Sequence, residues 1–307
     1  MQLRLIDDPP ASGGADAAME GTAQQIAQRR IGQCMPGRGA GCAARPDQMF
    51  GQVEDVVVAG AGLGAGATVT LLGEEDTVMN TITPDVVVAY SHCPRKAFLI
   101  LRAEDPGVPH EYVRLLEEKA CRNRYEFEQR IKQEHPDVTT GNVANFLSGE
   151  DMLLRVQLKA NDLVANCDVL KKVYSGQSYG RHRYEPMIIV GTHQIMQEQK
   201  LAVLFVGYVL GKLQNQLPEK GAIVGADCHV HKVDMKSANR ILTPMIKALR
   251  QWTDSSSPPA VLLNKHCPTC QFRNACMEHA EKVDDLSLLD RVTPKIIQRY
   301  HKKGIFT

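Results

Sequence analysis

The sequence predicts an α/β domain in which helices and strands alternate along the chain. Three segments rich in apolar and β-branched residues, Met152–Leu158, Leu163–Val173 and Tyr184–Val190, have the length and composition of strands. A Gly- and Ser-containing stretch between Tyr174 and Arg183 joins the second segment to the third as a turn. We therefore expect these strands to form an antiparallel meander.

Helices are predicted on both sides of this meander. Thr83 followed by Pro84 is typical of a helix start with proline in the first turn. Residues 110–134 contain no Gly or Pro and are highly charged, which predicts a long solvent-facing helix that ends at His135-Pro136. The later elements are an apolar helix, a strand pair and an amphipathic helix, predicted at Glu198–Leu213, Gly221–Val224 with Val230–Val233, and Ala238–Trp252.

Composition excludes several classes of protein. The chain has 307 residues, of which 43% are hydrophobic, but no apolar run reaches the length of a membrane span, and the N-terminus lacks the pattern of a secretory signal. Nine cysteines, an odd number at uneven spacing, argue against a secreted disulfide framework and for reduced thiols, some of them bound to a metal. We expect a cytoplasmic protein without a membrane partner.

Residues 1–78 are predicted to be a disordered extension. They hold 13 of the 24 glycines and 10 acidic residues against 5 basic ones. A glycine run at residues 60–66 follows Val56-Val57-Val58 as in a dinucleotide-binding loop, but the β-branched, glycine-broken stretch after it favours a flexible segment. The remaining residues have 31 basic against 25 acidic side chains, a balance compatible with phosphate binding.

A cysteine cluster near the end of the chain predicts a metal centre. Cys267, Cys270 and Cys276 have the spacing C-x2-C-x5-C, which can wrap one face of a metal ion or cluster. Cys93 is the expected fourth ligand, with His266 as the alternative. All-sulfur ligation suits both zinc and an iron–sulfur cluster, and the centre would staple the end of the domain to its beginning. The other cysteines are expected to be unligated thiols, namely Cys34, Cys42, Cys121, Cys167 and Cys228.

Together, Cys93-Pro94-Arg95-Lys96 and the C-x2-C-x5-C motif resemble the iron–sulfur members of the RecB-like nucleases, which include the CRISPR-associated RecB-like exonucleases and the AddB nuclease domain. The resemblance covers residues 80–307 and implies a PD-(D/E)XK restriction-endonuclease-like fold, a mixed sheet flanked by helices. It also implies a 4Fe-4S cluster on the four cysteines, with zinc as the alternative, and Mg²⁺ or Mn²⁺ at the catalytic site.

The resemblance divides the chain into three parts. Residues 1–78 are the extension, residues 79–282 the nuclease domain, and residues 283–307 a short helix-hairpin-helix-like segment. In the most similar subfamily an RNase-H-like or helicase region follows that segment, so we expect a partner domain of this kind beyond Thr307. The implied substrate is DNA, single-stranded or with a free end.

The resemblance assigns the catalytic residues one by one. Asp168, at the end of a strand, corresponds to the first metal-binding aspartate of the family. The next strand should carry an acidic-x-Lys triplet but has Ile188, Ile189 and Val190, which supply no side-chain oxygen for a hard divalent ion. Glu185 is therefore the candidate second carboxylate.

The remaining family positions are occupied by other residue types. His193 is the candidate polar partner, and Lys200 is its alternative. The helix that should present Gln and Tyr offers only a degenerate version, with Lys200, Ala202, Val206 and Tyr208, and Tyr208 is expected to be a core residue. An additional acid is expected on the long charged helix, at Glu118, Glu126 or Glu128.

Two functions follow from these expectations. The first is a metal-dependent DNA nuclease, in which the divalent ion lowers the pKa of a bound water and stabilises the charge of the transition state. The alternative is a catalytically inactive, cysteine-stapled module that binds nucleic acid for a neighbouring nuclease or helicase domain. Asp168 favours the first, and the apolar triplet favours the second.

Overall fold

The structure of the chain is a computed structural model that describes residues 81–102, 106–141, 143–173, 182–253, 257–289 and 292–306. The predicted extension, residues 1–78, lies outside the described residues, as does most of the predicted turn at residues 174–183. None of the described helices is long and apolar enough to cross a membrane.

Helices make up most of the described secondary structure. The α-helices are α1 (Pro84–His92), α2 (Pro94–Arg102), α3 (Glu111–Glu134), α4 (Val143–Ser148), α5 (Gln197–Leu213), α6 (Ala238–Thr253), α7 (Arg273–Lys282) and α8 (Pro294–His301). Short 3-10 helices occupy Cys267–Thr269 and Leu286–Leu288. The strands are β1 (Thr139–Thr140), β2 (Met152–Ala160), β3 (Leu163–Val173), β4 (Arg183–Ile189), β5 (Lys220–Val224) and β6 (Val230–Asp234).

The strands form one six-stranded sheet in the order β1-β2-β3-β4-β5-β6. The pairs β2–β3, β3–β4 and β5–β6 are antiparallel, so the predicted meander is confirmed. The pairs β1–β2 and β4–β5 are parallel, and α5 provides the crossover that brings the chain from β4 to β5. The fold is therefore a mixed sheet flanked by helices, as expected.

The main core lies on the face of the sheet that carries α1, α5 and α6. Helix α5 is apolar nearly all round, and Phe205, Val209 and Leu210 are fully buried between the sheet and α6. This burial explains why a helix with little amphipathic pattern is stable, since tertiary packing rather than a solvent-facing stripe holds it. The predicted core position of Tyr208 is confirmed, because its side chain is buried in this cluster.

The opposite face of the sheet carries α3. A second, smaller core joins Ile131 of α3 to Leu154 and Val169 of the sheet. The charged helix is thus solvent-facing on one side only, and the prediction is wrong for Glu128 and Ile131, which are buried. Gly191, just after β4, allows α3 to pack this closely against the end of the strand. A Cβ at this position would lie only 2.6 Å from the Leu116 carbonyl oxygen.

Strand β2 changes phase at Arg155. Leu153 and Val156 both face the main core, although they are three residues apart, while Leu154 faces the α3 side. Arg155 accounts for the shift because its φ is 52°, in the left-handed region that few non-glycine residues adopt. The switch directs two consecutive side chains, Leu154 and Arg155, towards α3.

Candidate functional site

The four predicted cysteine ligands come together in space. Cys93 follows the last residue of α1, Cys267 and Cys270 lie on and just after a 3-10 turn, and Cys276 is in α7. All four line one cavity, although Cys93 is far from the others in the sequence. A hydrogen bond also joins these two distant parts of the chain. The side-chain Nδ2 of Asn264 lies 3.5 Å from the carbonyl oxygen of His92, which is 172 residues away.

Asn264 shapes the turn that presents the thiols. Its side-chain oxygen accepts a hydrogen bond of 2.9 Å from the backbone N–H of His266, and its own N–H donates to Cys267 Sγ at 3.2 Å. The Cys270 N–H then donates to the Cys267 carbonyl at 3.1 Å and closes the 3-10 turn. Pro268 fits this turn because its fixed φ suits the first turn of a helix. Sequence reasoning did not identify Asn264.

The environment of the thiols fits a sulfur-ligated metal. Burial raises the pKa of Cys267 and of Cys276, and the neighbouring cysteines raise both further. A metal ion or cluster would relieve this by binding the thiolate form. Arg95, Lys96 and Arg273 line the same cavity and can offset the negative charge that four thiolates bring.

Convergence of the thiols is looser than in a formed coordination site. Within the described ranges, no group of three or more His, Cys, Asp or Glu side chains is arranged as a metal-ligand set. The donor chemistry and the cationic lining, rather than a formed ligand geometry, therefore support a metal centre.

His266 also lines the cavity, but its ring is engaged elsewhere. Its Nε2 lies 3.2 Å from Lys96 Nζ, and the ring stacks on His92 with centroids 4.2 Å apart. Burial, Lys96 and His92 lower the pKa of His266 to about 4, so the ring is neutral and can accept from the ammonium. His92, the other ring of this stacked pair, has its Nε2 3.4 Å from Glu198 Oε1. Lys96 therefore already engages the Nε2 of His266, the alternative fourth ligand.

A second site lies where β3 and β4 separate. The two strands pair from Val173 and Arg183 as far as Val169 and Met187, and then diverge. Asp168, the next residue of β3, occupies this fork: its Oδ2 accepts a hydrogen bond of 2.6 Å from the backbone N–H of Ile189. A side chain thus replaces the ladder bond that β3 no longer supplies.

Helix α3 and strand β2 surround this fork with charges. Arg124 Nε lies 2.9 Å from Asp168 Oδ1, and the Asp168 carboxylate is about one-fifth exposed. Glu128, one helical turn after Arg124, contacts Arg155 at 2.6 Å and Lys132 at 2.7 Å. Burial raises the pKa of Asp168, Arg124 and Arg155 act against the rise, and Glu128 adds to it. The five side chains therefore form one charge cluster with three cations and two carboxylates.

No protein-family model matches this chain, and no curated protein matches it.

Glu185 and His193 do not join the charge cluster. Glu185 pairs across the sheet with Lys171, which is three residues from Asp168 and so roughly 10 Å away along β3. His193 is an exposed residue of the loop between β4 and α5. The acid that the structure places beside Asp168 is Glu128, one of the three expected on the long helix.

Two residues of the charge cluster were not predicted from the sequence. Arg124 and Arg155 were not singled out, although Arg124 and Glu128 are four residues apart and so share one face of α3. The i, i+4 spacing of an Arg and a Glu on a helix that also carries Ile131 was the available signal. Lys200, the alternative polar partner, is exposed on α5.

Proposed function

We propose that the chain is a RecB-like domain of the PD-(D/E)XK type that binds the phosphodiester backbone of DNA at the fork between β3 and β4. The mixed sheet, the flanking helices and an aspartate on the strand before β4 agree with that fold. The charge cluster around Asp168 is the observation that carries the binding function. Its three cations exceed its carboxylates by one. The Arg124, Lys132 and Arg155 side chains are 45%, 46% and 36% exposed, so a phosphate group can approach them.

The same cluster favours binding over hydrolysis. Asp168 contacts Arg124 and the Ile189 N–H, while Glu128 contacts Arg155 and Lys132, so cations or a backbone donor already engage both carboxylates. The adjacent strand offers only Ile188, Ile189 and Val190. A hard divalent ion prefers six or more oxygen ligands, partly from water, and usually two or more carboxylates in a hydrolytic site. The arrangement does not fit that requirement.

A second cationic surface supports the binding proposal. Lys295, Arg299 and Lys302 lie at i, i+4 and i+7 along α8 and its C-cap, and therefore share one exposed face. Residues 292–306 contain no acidic side chain, and no ion pair to these three cations is found in the described part of the chain. Such a stripe suits a phosphate backbone and is the part of residues 283–307 that we expect to contact DNA.

The cysteine cavity is proposed to hold a 4Fe-4S cluster, with zinc as the alternative, in a structural role. Cys93, Cys267, Cys270 and Cys276 would hold it, and the group would join α1 to α7. Anaerobic purification followed by iron, sulfide and zinc analysis of one sample tests this proposal. Iron and sulfide in near-equal amounts support the cluster, a single zinc supports the alternative, and a metal-free protein contradicts both.

The binding function is tested with a fluorescent single-stranded DNA oligonucleotide. We expect salt-sensitive binding by fluorescence anisotropy, and no loss of full-length oligonucleotide when Mg²⁺ or Mn²⁺ is added. Asp168→Asn should bind at least as tightly as the wild type, because it removes a negative charge from the cluster. Failure of the wild type to bind DNA at low salt would contradict the proposal.

A metal-dependent DNA nuclease is the second candidate, and one observation favours it. Glu128 lies one helical turn after Arg124, the residue that contacts Asp168, so carboxylates from two different elements lie near the fork. Their partners would have to move away before an ion could bind both. Mg²⁺-dependent cleavage that Asp168→Asn abolishes, and Glu185→Gln does not, would establish this function. A helicase or RNase-H-like partner would act beside the domain under either proposal.

A further inference from the structure

Arg95 is held against the cysteine cavity in a fixed position. It is the second residue of α2, two residues after Cys93, and its Nη1 donates a hydrogen bond of 2.8 Å to the carbonyl oxygen of Pro259, 164 residues away. The side chain lines the cavity together with Cys93, Cys267, Cys270 and Cys276. One end of the guanidinium is therefore anchored, and the position of the rest follows from its planarity.

The Nε–H of Arg95 has no acceptor. Its Nε is buried, and it makes no hydrogen bond within the part of the chain that the structure describes. A buried N–H without a partner costs free energy, and a guanidinium keeps its charge at any physiological pH. The group would be stabilised if the cavity contained an acceptor. The four cysteine sulfurs that line the cavity can accept hydrogen bonds.

We infer that Arg95 Nε–H donates a hydrogen bond to the sulfur of one of the cysteines that would hold the metal centre. The inference rests on the proposed metal centre and adds a positioning residue to it. Hydrogen bonds to ligating sulfur stabilise the electron-rich form of a centre and slow the loss of its metal.

A purely mechanical role for Arg95 is the alternative. The bond to Pro259 ties α2 to the segment before the cysteine turn, and this tie alone would affect folding. Arg102 provides a matched control, because it lies on the same helix and its Nη1 donates to the Thr253 carbonyl at 3.0 Å. Arg102 is not among the residues that line the cavity.

The test compares Arg95→Gln and Arg102→Gln in metal-loaded, full-length protein. The thermal midpoint and the rate of metal release to an excess of a chromogenic chelator are measured for both. We expect Arg95→Gln to release metal roughly 10- to 100-fold faster than Arg102→Gln, because loss of a partner of a metal ligand lowers metal affinity by about that factor. Arg95→Lys should recover only part of the loss, since it restores the charge without the planar donor.

Three results would overturn the inference. Equal release rates from the two glutamine variants would leave Arg95 as a tie between segments and nothing more. The same conclusion would follow if, in every variant, the rate of metal release increased only in proportion to the fall in the thermal midpoint. A wild-type protein that contains no metal would overturn the metal centre itself, and the role of Arg95 with it.

Discussion

Asp168 Oδ2 and the backbone N–H of Ile189 lie 2.6 Å apart across the point where β3 and β4 separate. The carboxylate therefore serves the sheet as well as the charge cluster, because it satisfies a donor that would otherwise lose its ladder partner. Its other oxygen contacts Arg124. Any substitution at Asp168 changes both functions, and a useful variant must keep one of them.

Asp168→Asn is expected to separate charge from hydrogen bonding. An asparagine oxygen can still accept from Ile189, whereas Asp168→Ala leaves that buried N–H without a partner, at a cost of about 1–3 kcal/mol. Urea denaturation at neutral pH should therefore show Asp168→Ala to be clearly less stable than Asp168→Asn. Equal stabilities would mean that the bond to Ile189 contributes little.

The pH dependence of stability is expected to report the raised pKa of Asp168. Burial moves this pKa above its ordinary value of 3.8, so the folded state binds the proton more tightly than the unfolded state. The stabilisation is complete below the unfolded pKa and is lost as pH rises through the raised folded pKa. Measured against Asp168→Asn, the wild type should lose stability as pH rises above about 4. A wild type that gains stability over that range would show that Arg124 outweighs burial.

Glu128→Ala is expected to destabilise the domain more than a substitution at an exposed acid on the same helix. The Glu128 side chain is only 9% exposed and holds Arg155 and Lys132, although both partners are partly exposed and the pairs are therefore weakened by solvent. We expect a loss of about 2 kcal/mol in the free energy of unfolding. Glu126→Ala, at an exposed position two residues earlier, is the control and should change stability by less than about 0.5 kcal/mol. Equal losses of stability in the two variants would show that the Glu128 side chain is exposed to solvent and not held by its partners.

Arg124→Gln is expected to weaken DNA binding and to reduce its salt dependence. Loss of one phosphate contact lowers the slope of log affinity against log salt by about 0.7 for a single strand. Arg250→Gln is the matched control, because Arg250 also pairs with a carboxylate, Asp162, at 2.6 Å, but outside the charge cluster. Fluorescence anisotropy at a series of salt concentrations measures both variants. The same slope for both would place the bound phosphates elsewhere.

Cys270→Ser is expected to expose the domain to proteases far more than Cys121→Ser does. Cys270 lines the cavity, and a structural metal centre contributes on the order of 10 kcal/mol to folding. Cys121 is a half-buried residue of α3, away from the cavity lining. Limited proteolysis of the two variants, each purified under identical anaerobic conditions, gives the comparison. Cleavage of both variants at the same rate would show that Cys270 does not belong to a metal centre that stabilises this domain.

Most of the fold could be predicted because its elements are marked locally in the sequence. The apolar runs of β2 and β3 and the Thr83-Pro84 start of α1 agree with the structure within two residues. The Thr83 hydroxyl indeed accepts from Val86 N, which is the capping bond that such a start implies. The two-residue strand β1 was missed, since so short an element has no periodicity to detect.

The charge cluster could be predicted only in part, because it depends on how α3 docks on the sheet. Asp168 was found from its position on a strand, but its neighbours Arg124 and Arg155 come from elements that are distant in the sequence. Glu185 was expected as the second carboxylate, but the register of β3 and β4 places it opposite Lys171 and away from Asp168. The left-handed φ of Arg155 leaves no trace in the alternation of apolar residues around it.

That backbone angle restricts which residues position 155 can tolerate. Glycine, asparagine and aspartate adopt a positive φ at little cost, whereas valine, isoleucine and threonine are excluded by the clash of their branched Cβ with the backbone. Among proteins that share this domain, we expect the position to vary between arginine and small or polar residues, although it lies inside a β-strand. A β-branched residue there would mark a relative in which the strand has lost its phase change, and with it the placement of the side chain beside Glu128.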